Sequence, residues 1–525
     1  MKKIFLLIFL ASTLFSCSDY LDSPTEDFAN NPVSGALNPA QKLAGAQLNL
    51  LNNEIFSYNT FGNRMTYVWG LNSGFTSNDA AYNFNFTADT YTSGTWSTHA
   101  LYIDNFQDIL DTEATFPTYK NHMAISKIMK VQGMEKIIAL FGDAPYSEAF
   151  KSKEGILTPK FDDDKQIYID ILNLLDEARQ DIADASGDAT FVVPGAEDIV
   201  FEGDMDRWNN YANTLELRIL LRLSKTTDAD MVTLRTNRFA ALDGATFVSE
   251  DVAYNPGFTG ATAGQSNPMF RQFGVNTTET AWLSGNRANA AGDFIAKVVN
   301  GQLATTNLTT TGLVDPRRAR MFSLVSGSVS GALQNTETTV AKSRLHNFVH
   351  GYWGAATSDL YKNGTERDAY AMLAAESYFL QAEAIQRGYL TGDARTMFNN
   401  GITASFAFYS TGFGDFTISA LNPNTYITNI DSKVGLGWTA TSDKINCIMT
   451  QKWLALAQWT GIEPYFDYLR TGYPNVPLPE GVSRTTRPNR LIYDQSEYSA
   501  NPTNVPIVTV DELFSVNAKT PFYLQ

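Results

Sequence analysis

Apolar positions recur with a helical period in several separated blocks. Residues 39–56 carry Leu43, Leu48, Leu50 and Leu51, and residues 99–114 carry Leu101, Ile103, Phe106, Ile109 and Leu110. The block 120–141 carries Met123, Ile128, Val131, Met134, Ile137 and Ile138. Ile167, Ile171, Leu174, Leu175 and Ala178 fall at i, i+4, i+7, i+8 and i+11, which places them on one face of a helix. Trp208, Tyr211, Ala212, Leu215 and Ile219 repeat the pattern, and further helices are predicted over 368–388, 393–408 and 442–459. Ala371 to Ser405 reads as a helix, a break between Gly388 and Gly392, and a second helix. Ala374, Ala375, Ala382 and Ala384 permit close packing there. This is stacking of the tetratricopeptide kind, without a strict repeat period.

Between these blocks the period fades. Residues 57–98, 228–365, 409–440 and 471–525 are rich in Gly, Thr, Ser and Asn, with interspersed aromatic rings. Loops this long are usually functional or disordered, and the aromatic content argues against disorder. The expected fold is mainly α. A frame of tetratricopeptide-like helix pairs spans roughly 36–56, 99–227 and 366–470, with long irregular loop-rich insertions that face a ligand. Residues 36–525 are read as a single domain.

The first residues carry an address. Lys2 and Lys3 precede an apolar run from Ile4 to Phe15, which is too short to span ~30 Å of hydrocarbon as a helix. Residues 1–16 therefore read as a signal peptide. The run ends in Leu14-Phe15-Ser16-Cys17, the pattern of a bacterial lipoprotein signal, which makes Cys17 the acylated N-terminus and 17–35 a tether. More than one acyl chain is needed to hold a protein stably on a membrane. Ser18-Asp19-Tyr20-Leu21-Asp22 resembles the surface-export signal of Bacteroidetes lipoproteins.

Charge narrows the partners. The 525 residues hold 39 basic and 55 acidic side chains, a net charge of −16. Removing residues 1–16 takes two lysines and no acid, leaving −18. No basic stripe is present to replace the counterions of a nucleic acid, and anionic lipid surfaces are disfavoured for the same reason. Two cysteines make neither a disulfide framework nor a four-thiolate zinc site. Cys447 sits among Ile445, Ile448 and Met449 and reads as buried.

A set of motifs follows in order. They are Phe141-Gly-Asp-Ala-Pro-Tyr-Ser-Glu-Ala149, Pro159-Lys-Phe-Asp-Asp-Asp-Lys-Gln-Ile-Tyr168, Trp208 to Arg222, Asn267-Pro-Met-Phe270, Asp315-Pro-Arg317, Ala375 to Ala384, Gln451-Lys-Trp453, Glu463 to Pro474 and Arg490 to Glu497. The ordered set resembles the SusD/RagB family of outer-membrane nutrient-binding lipoproteins, from the signal to about residue 501. Members often carry Trp where Tyr465 stands and a second Arg where Leu469 stands. The resemblance implies helical frame plus irregular half, and a role without catalysis or cofactor. That role is a cell-surface lid over a SusC-type TonB-dependent transporter, capturing oligosaccharide or peptide for uptake.

Several features have a structural reading beside a functional one. Glu376 and Glu383 share a helix face and could do general acid/base work, but Arg218 and Arg222 offer them partners inside a helical frame. Asp162-Asp-Asp164 lacks the ligand spacing of a calcium loop and reads as a helix start. His346 and His350 are four apart, yet no glutamate completes a metal motif and no metal is expected. No nucleophile elbow or phosphate loop is found. A surface glycosidase or peptidase, and a helical-repeat scaffold or adhesin, remain the alternatives.

A sugar site needs flat apolar faces for pyranose C–H groups and amides or charges for hydroxyls. Tyr67-Val-Trp69 with Asn78, Asp79 and Tyr82 has this mixture, as do Trp282 with Asn286 and Arg287, and Tyr352-Trp353. The expected ligand contacts are Trp69, Tyr82, Trp282 and Trp353, with Asn78, Asp79 and Arg287 as polar partners. Trp96, Trp208 and Trp453 are expected in the core. The acidic total disfavours uronate or sulfated polymers, unless Arg64, Arg271, Arg287 or the group Arg317, Arg318 and Arg320 builds a local basic pocket.

Overall fold

A computed structural model describes residues 37–75, 79–345, 360–410 and 419–525. The signal peptide, Cys17, the tether to residue 35, Asn78, His346, His350, Tyr352 and Trp353 lie outside the described residues. The longer helices are α1 (Pro39–Asn53), α2 (Asn59–Met65), α3 (Thr98–Leu110), α4 (Lys120–Phe141), α5 (Asp164–Ala185), α6 (Met205–Arg222) and α7 (Ala229–Leu242). They continue with α8 (Ala374–Gln386), α9 (Ala394–Phe408), α10 (Lys444–Leu456) and α11 (Ile462–Thr471). Among the described residues, four short strands, β1 (Trp69–Leu71), β2 (Val252–Tyr254), β3 (Asn289–Ala291) and β4 (Ala369–Met372), form two antiparallel pairs, β1–β3 and β2–β4.

Local chemistry sets the helix starts. Asn38 and Gln41 form a reciprocal capping box ahead of α1, with both bonds at 3.0 Å. Asp163, Asp204, Asp393 and Asp443 each accept a backbone N–H at the start of α5, α6, α9 and α10. The acidic run 162–164 is thus a helix start, as expected. The α8–α9 pair turns through Gly388 and Gly392, both at positive φ, and Gly401 lets α9 approach the Phe379 ring of α8.

Helix α4 lies at the centre. It packs on α3 and α5, α1 packs on α3, and α6 bridges α5 to α8. Helix α8 packs in turn on α9 and α10. Helix α4 is buried almost throughout, so it shows no apolar stripe. One main hydrophobic cluster runs from Leu43 to Leu524 and contains Trp96, Trp208 and Trp453. The chain end closes the frame: Leu491 N–H donates to Leu140 O at 2.9 Å, and Phe522 N–H to Asp164 Oδ2 at 2.7 Å.

Three elements differ from the sequence pattern. The helix expected from 368 begins as strand β4, because 369–372 pair with β2 and Ala374 N–H donates to Asp251 Oδ1 at 2.8 Å. Distant pairing overrides local preference there. Helix α7 lies in the expected loop 228–365; its buried Met231, Arg235, Phe239 and Leu242 recur with a helical period broken by one arginine. Helix α2 lies in the expected loop 57–98 and carries no apolar stripe, since buried amides hold it. Asn59 Nδ2 donates to Gln458 O at 2.7 Å, Gln458 N–H to Asn63 Oδ1 at 2.8 Å, and Gly461 N–H to Asn59 Oδ1 at 2.9 Å.

The apolar helices also enclose charge. Arg218 meets Glu135 at 2.9 Å and Glu376 at 3.3 Å, and Arg222 meets Glu135 at 2.7 Å and Glu463 at 2.6 Å. Glu383 is taken by Arg470 and by Arg387, the latter at 2.8 Å. Glu376 thus pairs with Arg218 as expected, while Glu383 finds its arginines elsewhere.

Candidate functional site

Two of the predicted ligand segments meet along one strand pair. Trp69 registers with Ala291 and Leu71 with Asn289. The contact extends past the strands: Asn72 N–H donates to Ala288 O at 2.9 Å and Asn72 Nδ2 to Arg287 O at 3.0 Å. A third segment supports it, because Gln334 Nε2 donates to Trp69 O at 2.9 Å and Gly74 N–H to Thr338 O at 3.2 Å.

The rings divide into support and surface. Trp69 and Tyr82 are both 0% exposed, which corrects the expectation that they touch ligand. Trp69 packs edge-on against Phe273 at 5.1 Å, and Tyr82 lies under the Arg64 guanidinium at 5.8 Å. A ring with both faces covered cannot stack on a sugar. Trp282 is half-buried and belongs to a small separate cluster with Phe270, Val275 and Tyr361, outside the main core. Its backbone is fixed by a bridge to Val275, and Leu283 N–H donates to Gly274 O at 2.9 Å.

The polar candidates divide in the same way. Asp79 caps the short helix Ala80–Asn83 through Ala81 N–H at 2.9 Å and takes Arg64 Nη1 at 2.5 Å. Tyr91 donates to the same carboxylate. Asp79 is therefore engaged inside the fold. Asn286 is buried and donates to Phe273 O at 2.8 Å and Leu345 O at 3.1 Å. Arg287 is exposed. Of the seven predicted contacts, Arg287 is exposed and Trp282 half-buried, Trp69 and Tyr82 are buried, Asp79 is held by Arg64 and Tyr91, and Asn78 and Trp353 lie outside the described residues. Sequence reasoning missed Arg344, which pairs with Ala290 beside this surface. Its signal was a short basic pair, Lys342 and Arg344, in a Ser/Thr-rich loop.

Three other features of the fold hold groups with chemical potential. A groove of about 750 Å³ lies between α5, α6 and α7, lined by Asp176, Arg179, Glu216 and Arg238. Its charges are matched to one another: Arg179–Asp176 is 3.0 Å, Arg238–Asp176 2.8 Å and Arg238–Glu216 2.9 Å. Among the described residues, Asp143, Asp163 and Asp164 lie close enough to share a cation. Each already accepts a backbone N–H, from Asp164, Lys165 and Phe522 respectively. Cys447 is buried, and burial pushes its thiol up to about 12, far from a reactive thiolate.

The sequence profile of a SusD-like family, described as "Starch-binding associating with outer membrane", matches residues 30–494. The chain belongs to the SusD-like family. Its fold matches solved relatives over nearly their whole length. A SusD homologue from Bacteroides uniformis aligns at TM-score 0.66 and 21% identity, covering 91% of this chain and 98% of that one. A SusD homologue from Bacteroides fragilis gives 0.66 and 20%, with 93% and 98% covered. A chitin-binding SusD homologue from Flavobacterium johnsoniae gives 0.63 and 22%, with 88% and 94% covered. None of the curated proteins matches the chain in sequence. These alignments bear out the mainly α frame of this SusD-like protein. Among its described residues, no helix is long and apolar enough to cross a membrane.

Proposed function

We propose that this SusD-like chain is a cell-surface lipoprotein, anchored through Cys17, that captures oligosaccharide beside β3 and delivers it to a SusC-type TonB-dependent transporter. The observation that carries this reading is the placement of Trp282 and Arg287. The indole stands in a satellite cluster, bridged to Val275 through its backbone, five residues before an exposed arginine whose carbonyl is held by Asn72 next to β1. A half-exposed ring beside a multiple donor suits a pyranose, whose C–H face stacks and whose hydroxyls accept. Trp353 and Asn78 are proposed to complete the surface. The family description and the chitin-binding relative support a glycan rather than a peptide.

The role proposed is capture without catalysis. The two carboxylates on one helix face, Glu376 and Glu383, are buried and committed to arginines. No substrate reaches them without opening the frame.

Calorimetric titration of the mature chain with maltooligosaccharides, chitooligosaccharides and peptide digests tests the reading. Saturable binding to a saccharide that is lost in Trp282→Ala supports it. Hydrolysis of the ligand would favour a glycosidase or peptidase. Recovery from membranes with surface lipoproteins but no barrel protein would favour a scaffold. Cys17→Ser is expected to release the protein from the membrane fraction and abolish palmitate labelling.

A further inference from the structure

We propose that Arg287 and Arg344 form an anion subsite on this surface, which takes a carboxylate or sulfate carried by a saccharide. The proposal rests on the glycan-binding reading and names the class of glycan.

Strand β3 brings the two arginines together. Arg287 closes the short helix Ser284–Ala288, immediately before β3, and Arg344 pairs with Ala290 within it. Both backbones are held. Arg287 O accepts Asn72 Nδ2 at 3.0 Å, while Arg344 N–H donates to Ser323 Oγ at 2.9 Å and Arg344 O accepts Ser323 N–H at 3.0 Å.

Among the described residues, neither guanidinium has a carboxylate at ion-pair distance, and Arg344 Nη1 is buried without an acceptor. Burial first, and then the positive charge of Arg287, lower the Arg344 guanidinium below its ordinary value. Two cations held within each other's field and left unneutralised repel, which an anion between them would relieve.

The other candidate arginines are engaged. Arg64 is taken by Asp79, and Arg317 by Asp315 at 2.7 Å. Arg318 donates to Asn300 Oδ1 at 2.8 Å, Arg320 to Ser419, and Arg271 lies over the Phe56 ring at 4.6 Å. In a chain with 55 acidic groups, two neighbouring arginines with no carboxylate partner among the described residues are a local reversal of sign. The planar guanidinium fork fits carboxylate and sulfate oxygens in two-point contacts. The saccharide class comes from the glycan reading of this surface, to which the half-buried Trp282, five residues before Arg287 in sequence, adds an aromatic ring that a free inorganic anion does not need.

The test uses the mature chain and four probes: an oligogalacturonide, a chondroitin sulfate oligosaccharide, a maltooligosaccharide and a chitooligosaccharide. One of the acidic probes is expected to bind, with affinity falling as salt rises. Arg287→Gln and Arg344→Gln are each expected to weaken it about tenfold or more. Arg344→Lys, which keeps the charge, should retain part of the binding and so separates loss of charge from loss of fold. Arg395→Gln, an exposed charge on α9 far from β3 in sequence, should leave the affinity unchanged. Without saccharide, Arg287→Gln should melt no lower than the wild type, because a repulsion is removed. Acidic binding that ignores both arginines, or binding of neutral probes alone, would overturn the subsite and leave the glycan reading standing. Binding of none of the four would overturn both.

Discussion

Arg222 of α6 and Glu463 of α11 lie 241 residues apart in the chain and 2.6 Å apart in the fold, both buried. Arg222 also holds Glu135 of α4 at 2.7 Å, so one guanidinium ties three helices together. Burial by itself would raise the Glu463 carboxyl, but Arg218 and Arg222 hold it below the ordinary carboxylate range. Removing one partner leaves the other charged and dry. Glu463→Ala is expected to cost ~3–5 kcal/mol in urea unfolding, well above a surface ion pair. Because the folded carboxyl is depressed, its stabilisation is present above the ordinary glutamate value and fades as pH falls below it.

Asp164 has the opposite sign. Burial raises its carboxyl to about 7; the Phe522 N–H and Arg490 oppose this, and Asp143 and Asp163 add to it. The unfolded carboxyl loses its proton near ~4, while the folded one keeps it to about 7. Stability therefore falls as pH rises through that window. Asp164→Asn still offers an acceptor to Phe522 and cannot ionise. Scanning calorimetry from about pH 5 to about pH 8 should show the wild-type melting temperature falling on the order of a few °C more than the variant's.

Gly62 of α2 faces Gly461 at the start of α11. A methyl group built on Gly62 would stand 2.3 Å from the Gly461 carbonyl and Ile462 N. In an unconstrained helix, Gly→Ala stabilises by ~0.5–1 kcal/mol. Here the close approach decides the sign, and Gly62→Ala should destabilise by ~1–3 kcal/mol in the same urea assay.

Trp69 and Trp282 should separate cleanly. Trp69→Ala empties a fully buried site and is expected to cost ~3–5 kcal/mol. Trp282→Ala trims a half-exposed ring and should cost about 1 kcal/mol or less, yet abolish saccharide binding. Equal loss of stability in both, or binding retained in Trp282→Ala, would contradict this division of roles.

The helical frame was legible because its signal is local. The periods in 120–141 and 167–178, the Gly388–Gly392 break and the acidic helix starts each speak through neighbours in the chain. Helix α2 was not legible: its stability comes from Asn59 and Asn63 bonding to Gln458 and Gly461, nearly four hundred residues away. Strand β4 was misread for the same reason, since β2 lies more than a hundred residues upstream. The acidic triplet at 162–164 was read as a helix start, and its shared bonds with Phe522 and Ser147 could not be seen from its neighbours alone.

For the candidate site, the sequence by itself determined which segments combine aromatic with polar side chains. Tryptophan, asparagine and arginine cluster around 69–84 and 282–287, and β1–β3 joins those segments. Only the tertiary structure decided which side chains face outward. Trp69 and Trp282 look alike as residues in polar loops, but one is enclosed by Phe273 and the core, and the other caps a satellite cluster at the surface. The pairing of Arg344 with β3 was likewise invisible, because it spans more than fifty residues. Local pattern fixes how a segment folds; burial, and which backbones lie side by side, are set by what distant segments bring against it.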